Sequence, residues 1–313
     1  MKREATSRAF CSTANLGAGF DVFGLALKQY SDKIKIRVTN GRKIRIFVKG
    51  ELGKTVPRDA KRNAAGPPAT ALLRRANFRK GLEILIEKGV PQGLGLGSSG
   101  ASAAACTKGL DLLLELELPD DELVRTASLG EKAVTGNPHA DNVAASLLGG
   151  FVIVYDNPVR TVSLTPPREL SIVVVTPELP MRENKTRLAR RLLPEKLTIQ
   201  KAVLNVGRAS AIASGFATGD IARIGSGMND EIAEPYREKM IPGYRQVKEA
   251  ALSEKAAGVS ISGAGPSIIA IVDRNKHEPA RVGKAMIAGF RRNNIKSRFF
   301  VTEPAPAASI IRS

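Results

Sequence analysis

The sequence predicts an α+β protein of two domains, on three observations. Its 313 residues favour two hydrophobic cores over one. Residues 33–38 (KIKIRV) and 43–48 (KIRIFV) alternate charged and apolar side chains, the period-two pattern of strands with one wet face. Strand-like and helix-like segments then follow one another without the regular β-α-β alternation of a doubly wound sheet.

The two alternating runs flank Thr39-Asn40-Gly41-Arg42, and Asn-Gly is a hairpin signal, so they are expected to pair. Residues 82–86 (LEILI) read as a further strand. Residues 98–114 are rich in Ala and Leu at helical spacing. A second helix is expected at 119–133, where Pro119, Asp120 and Asp121 place acids in the first turn. A third spans 139–148 and stops at Gly149-Gly150, before a strand FVIVY. The domain boundary is expected here, giving domains 1–155 and 156–313. In the second half, SIVVVT (171–176) reads as a strand and 184–193, 197–214 and 244–255 as helices. Residues 258–272 (GVSISGAGPSIIAIV) read as strand, glycine turn, strand; a helix at 278–290 and a strand at 297–301 close the chain.

Composition narrows the function classes. The net charge is +18, but Lys and Arg are spread along the whole chain and aromatics are scarce among them. That favours an enzyme of anionic substrates over a nucleic-acid binder, which would want a basic block or a stacking platform. Two cysteines, Cys11 and Cys106, and two histidines form no zinc motif and fit a reducing compartment. The N-terminal MKREATSRAF lacks a long apolar run, and no stretch of 18 apolar residues exists. A cytoplasmic protein with no membrane span is therefore expected. Asn184-Lys185-Thr186 matches a glycosylation acceptor, which carries no meaning in such a compartment.

The most informative stretch is PQGLGLGSSGASAAA (91–105). It contains G-x-G-x-x-G, yet a dinucleotide site also needs a buried parallel strand before the glycines and an acid closing the next strand. Here the preceding strand carries Glu and Lys, and the distal acids Asp120 and Asp121 open a helix. A Walker loop fails because Val48 stands where Gly53-Lys54-Thr55 requires the first glycine. A nucleophile elbow fails at Ala101. What remains is a backbone nest. Gly93, Gly95 and Gly97 let the chain approach a ligand, and Ser98 and Ser99 open a helix whose N–H groups favour anions. A serine there can ligate the Mg²⁺ of a polyphosphate. The plain alternative is a glycine-rich turn with serine as N-cap. Ser262 to Ser267 (SGAGPS) would form a second nest between two strands.

Three segments together resemble the motifs of the GHMP small-molecule kinases: STANLGAGFDVFGLAL (12–27), PQGLGLGSSGASAAA (91–105) and VSISGAGPSIIAIV (259–272). The first segment, with HADN (139–142) and EPYR (234–237), is similar to the branch that phosphorylates homoserine. The resemblance covers residues 1 to about 305. It implies an N-terminal domain like ribosomal protein S5 domain 2 and a ferredoxin-like C-terminal domain. It implies transfer of phosphate from ATP, with Mg²⁺, to the side-chain hydroxyl of L-homoserine, in the making of threonine by a cytoplasmic homodimer.

Residue by residue, the resemblance places Pro91, Gln92, Gly93, Leu94, Gly95, Leu96, Gly97, Ser98, Ser99, Gly100 and Ala101 around the ATP phosphates. It gives Mg²⁺ to Ser98 and Glu131, and sets Asn63 near the adenine. Asn15 and Asp21 would take the amino and hydroxyl groups of the amino acid. Arg190 and Arg237 would take its carboxylate, which a guanidinium fork fits bidentately. Arg187 and Arg191 compete with Arg190 for this role; counting back from Pro194 selects Arg190. Gly263 and Gly265 would line the substrate side, with Asp141, Asn142 and Thr186 at the reaction centre. His139 is a substrate contact or a framework residue. Asp141 is a polar contact or a general base. Asn63 is an adenine contact or a helix cap.

The chain departs from the family pattern at Phe10, Leu94 and Gly100, and Pro67-Pro68 is expected to interrupt a helix beside the adenine. Two other readings follow: a mevalonate or shikimate kinase of the same fold, or a basic nucleic-acid binder on an S5-like fold. An amino-acid motif at 15–21 argues against the first, and an intact phosphate nest against the second.

Overall fold

The long alternating stretches at the N-terminus become β1 (Glu4–Ala14) and β2 (Phe23–Thr39), an antiparallel pair that frames the first half. The structure, a computed structural model, describes residues 3–136, 139–180 and 185–312. β3 (Ile44–Lys49), α1 (Gly66–Arg75) and β4 (Gly81–Glu87) follow, then α2 (Ser98–Leu113), α3 (Asp120–Thr135) and α4 (Ala140–Leu148). The hairpin β5 (Phe151–Tyr155) and β6 (Arg160–Leu164) completes this half.

The expected pairing of 33–38 with 43–48 does not form. β4 stands between β2 and β3, antiparallel to β2 and parallel to β3. Burial explains the order. β4 places Leu82, Ile84 and Ile86 wholly inside, whereas β3 buries only Ile46 and exposes Phe47. The more apolar strand takes the centre and the half-charged one the edge, where its unpaired backbone meets water.

The second half runs β7 (Leu170–Pro177), α5 (Lys185–Arg191), α6 (Ile199–Thr218), α7 (Ile221–Ser226), α8 (Glu234–Arg237) and α9 (Tyr244–Ser253). It continues with β8 (Gly258–Ile261), β9 (Ile268–Asp273), α10 (Pro279–Arg291) and β10 (Ser297–Thr302). Its antiparallel sheet has the order β10-β7-β9-β8, a ferredoxin-like β-α-β-β-α-β arrangement. The last strand, β11 (Ser309–Arg312), returns to cover the outer edge of β1. With β6 it belongs to the first sheet, so position 155/156 lies inside the β5–β6 hairpin.

One apolar cluster packs the first sheet against α1–α4, and another packs the second sheet against α9 and α10. A third joins the halves, bringing Leu16, Phe23, Leu25 and Phe151 against Ile172, Val174, Phe216 and Ile269. Phe151 stacks on Phe216 with ring centroids 3.8 Å apart. Each large side chain buried in this way contributes about 1.5–3 kcal/mol, so the joint between the halves is part of the folded core. Pro67 and Pro68 do not interrupt a helix. They start α1, where a missing N–H removes no intrahelical bond. The first α2 residue is Ser98, and its N-cap is the left-handed Gly97, not a serine.

Candidate active site

The glycine loop sits where β1, the second glycine turn and α5 converge. Its carbonyls are each taken by a protein donor. Lys185 Nζ donates to Gly93 O at 2.6 Å, Ser267 N to Leu94 O at 3.3 Å, Ser262 Oγ to Gly95 O at 2.6 Å and Ser12 N to Leu96 O at 3.2 Å. In a planar trans peptide the N–H points opposite to the C=O. The N–H groups of Leu94, Gly95, Leu96 and Gly97 therefore face away from these anchors, and none donates to a described residue. With the free N–H groups opening α2 they form an anion cradle.

Two of the glycines are obligatory. Gly95 and Gly97 have φ of +80° and +62°. A Cβ on Gly95 would lie 2.2 Å from Ser262 O, and one on Gly97 2.1 Å from Ser12 Oγ. Leu96 and Ala101 turn their side chains into the core, and Gly100 packs against Asn142, so these three offer the cradle only backbone. Leu94 packs on the apolar cluster between the halves.

Beneath the cradle, Lys88 pairs with Asp32, and its Nζ also donates to Ser98 O at 2.6 Å and Ser102 Oγ at 3.0 Å. The other carboxylate oxygen of Asp32 accepts from Gly89 N and Val90 N, both at 3.0 Å. Gln92 reaches outward, donating to Leu52 O and Thr55 Oγ1. Asn63 is spent locally: its Nδ2 donates to Pro57 O at 2.6 Å and its Oδ1 accepts from Ala65 N at 2.9 Å. The amide expected near an adenine thus shapes the turn before α1.

Two carboxyls lie by the start of α2 and α4. Glu131, on α3, is buried and its Oε1 has no partner. Burial pushes it up to about 7, against the pull of Ser99 and Lys88. A lone buried carboxylate oxygen fits a cation; the Ser98 hydroxyl donates to Val90 O at 2.9 Å, which leaves its oxygen lone pairs for an ion such as Mg²⁺. No group of three or more metal-binding side chains occurs among the described residues. Asp141, in the first turn of α4, is pushed up to about 7 by burial and by Asp21. Its Oδ1 accepts from Asn142 N at 2.8 Å. Asn142 Oδ1 in turn accepts from Ser12 Oγ at 3.1 Å, bracing α4 against the cradle.

The loop joining β1 and β2 gathers a second set of polar side chains. Asn15 shapes it, donating from Nδ2 to Gly263 O at 3.0 Å and accepting at Oδ1 from Asp21 N at 3.1 Å. Asp21 pairs with Arg190, and His139 Nδ1 lies 3.8 Å from its other oxygen. Arg187 and Arg191 are exposed, and of the three arginines Arg190 is the one paired with Asp21. Burial lowers the His139 pKa, which favours a neutral ring. Arg237 is buried and donates to Gly263 O at 3.0 Å. The guanidiniums of Arg190 and Arg237 both lie over the ring of Phe20, 5.5 and 5.0 Å from its centroid. Thr186 sits half-buried on α5, next to Lys185.

Sequence reasoning missed Phe20, Lys185, and the Asp32–Lys88 pair. Phe20 lies inside the quoted motif and Lys185 beside Thr186, so both were within reach. Asp32 and Lys88 are 56 residues apart and have no local signature.

The chain is similar to known proteins over most of its length. The description "GHMP kinases N terminal domain" matches residues 63–150, and "GHMP kinases C terminal" matches 212–292. A homoserine kinase of Thermoplasma acidophilum is 40% identical over 297 residues, covering 94% of this chain and 93% of its own. A homoserine kinase of Aeropyrum pernix is 38% identical over 314 residues, covering 98% of each chain. The crystal structure of homoserine kinase from Cytophaga hutchinsonii matches with a TM-score of 0.90 at 34% identity, covering 99% of this chain and 98% of that one. The chain belongs to the GHMP kinase family, in its homoserine kinase branch.

Proposed function

We propose that this protein transfers the terminal phosphate of ATP to the side-chain hydroxyl of L-homoserine, giving O-phospho-L-homoserine. One observation carries the substrate reading: a carboxylate, Asp21, pairs with Arg190, and Arg190 and Arg237 meet over the ring of Phe20. Asp21 and Arg190 neutralise each other in the free protein. A small zwitterion replaces that pair with two: its ammonium on Asp21, its carboxylate on Arg190 and Arg237. Asn15, Gly263 and Gly265 shape this site, and neutral His139 borders it.

The cradle from Pro91 to Ala101 takes the phosphates through its N–H groups. Ser98 and Glu131 would hold Mg²⁺, which when bound neutralises the charge that builds on the transferring phosphate. Asp141 orients the acceptor hydroxyl, Asn142 fixes α4 against the loop, and Thr186 approaches from α5. Positioning and charge neutralisation do most of the work in such a transfer, so no dedicated base is required. Residues 1–155 supply the nucleotide cradle, and 156–313 supply the arginines and the second glycine turn; this division follows function and not the sheets. The protein acts as a cytoplasmic homodimer. Among the described residues, no helix is long and apolar enough to cross a membrane.

An ADP-release assay across homoserine, threonine, serine, shikimate and mevalonate tests the reading. Turnover is expected to be fastest with homoserine. Equal or faster turnover of shikimate or mevalonate would remove the substrate assignment and leave the kinase.

A further inference from the structure

We propose that Lys185 is a positioning residue for the nucleotide: its ammonium ties the Gly93 and Gly265 carbonyls together and so aims the glycine-loop N–H groups at the phosphates. This rests on the nucleotide site proposed above.

The geometry has three parts. Lys185 Nζ donates to Gly93 O at 2.6 Å and also to Gly265 O. Gly93 belongs to the first nest and Gly265 to the second, and α5 belongs to neither, so one side chain joins three elements. The peptide that presents Gly93 O carries the Leu94 N–H on its opposite side. Holding the oxygen fixes where that N–H points, which a φ of +72° at Gly93 would otherwise leave loosely determined.

Lys185 is also unlike its fellow anchors. The other three carbonyls are held by Ser12, Ser262 and Ser267, each a neutral donor reinforced by strand or turn hydrogen bonds. At the entrance of the loop a long cationic side chain from α5 takes this part instead. Its bonds are charge-assisted, stronger than neutral ones. Burial, with Arg237 nearby, lowers the ammonium to about 7. Among 48 Lys and Arg residues the sequence does not distinguish this one; its two acceptors do.

The test uses K185M and K185R in the full chain, each checked for a melting temperature near that of the wild type. MgADP is titrated calorimetrically, and glycine resonances are followed by ¹⁵N-glycine labelling in the nucleotide-free protein. K185M is expected to weaken MgADP about tenfold, with KM for homoserine changed less than about twofold. In the free variant the Gly93, Gly95 and Gly265 resonances should move while Gly207 and Gly219, on and beside α6, stay in place. K185R, which keeps the charge, should recover most of the MgADP affinity. Unchanged MgADP affinity in K185M would overturn the proposal. So would weaker binding with unmoved loop glycines, which would make Lys185 a direct phosphate ligand. A wild type that binds MgADP but does not phosphorylate homoserine would remove the substrate reading and leave this inference standing. A wild type that binds no nucleotide would remove both.

Discussion

Lys88 and Asp32 form an ion pair beneath the phosphate cradle with side-chain exposures of 2% and 0%. The same ammonium holds the carbonyl of Ser98, the first residue of α2. The pair therefore couples β2 and the end of β4 to the helix that faces the nucleotide. K88M leaves a buried carboxylate with only Gly89 N, Val90 N and Ser102 as partners, and should destabilise the protein by about 3–5 kcal/mol in denaturant unfolding. The double variant D32N/K88M removes both charges and should lose less than K88M alone. An equal or larger loss in the double variant would mean that the charges do not act as a pair.

The loop glycines separate function from propensity. G97A drives a Cβ into Ser12 Oγ at a left-handed backbone. It should lower kcat/KM for ATP by about a hundredfold, roughly 3 kcal/mol of lost positioning. Gly207, inside α6, has nothing within 4 Å of an added Cβ. G207A should leave kcat/KM unchanged and raise stability by about 0.5–1 kcal/mol, the helix penalty of glycine. Similar activity losses in the two would dismiss the cradle.

Arg237 should act on the amino acid and not on ATP. Removing a charge-assisted hydrogen bond costs about 1.5–3 kcal/mol, so R237A should raise KM for homoserine by roughly 10- to 150-fold. KM for ATP should stay within about threefold. Steady-state kinetics with each substrate varied separates the two. A matched rise in both constants would place Arg237 in the framework, through Gly263.

Asp141 sets a pH dependence of stability. Its folded pKa of about 7 lies above its ordinary 3.8. Between those values the folded state keeps a proton that the unfolded state has lost, so this carboxyl makes stability fall as pH rises. D141N removes that contribution. Its stability relative to the wild type should increase steadily from pH 4 to pH 7 in urea unfolding, with little further change above. A constant difference across that window would mean that Asp141 titrates normally. The same variant should keep kcat within about tenfold, since a general base would supply about 10²–10⁴.

Much of the site was legible because it is local. Three alternating glycines before Ser98-Ser99, a strand-turn-strand around Ser262 to Ser267, and the stretch from Asn15 to Asp21 each act through their own backbone. The helix at α2 and the strand pair β8–β9 formed where pattern and turn chemistry placed them. Asn63 was ambiguous because its amide looks the same whether it meets a base or its own loop; in the structure its amide bonds Pro57 and Ala65. The prolines at 67 and 68 misled because their effect depends on where the helix begins, which is a matter of one turn.

By itself the sequence pointed to a phosphate-binding glycine loop and, through its motifs, to the kinase family that the chain belongs to. These depend on backbone freedom and side-chain chemistry, which are properties of short segments. Tertiary structure decided which strand lies beside β2, which arginine meets Asp21, and that Asp32 and Lys185 reach the cradle from elements far along the chain. Those outcomes come from competition for buried space and for hydrogen-bond partners, and a linear pattern does not show who the competitors are.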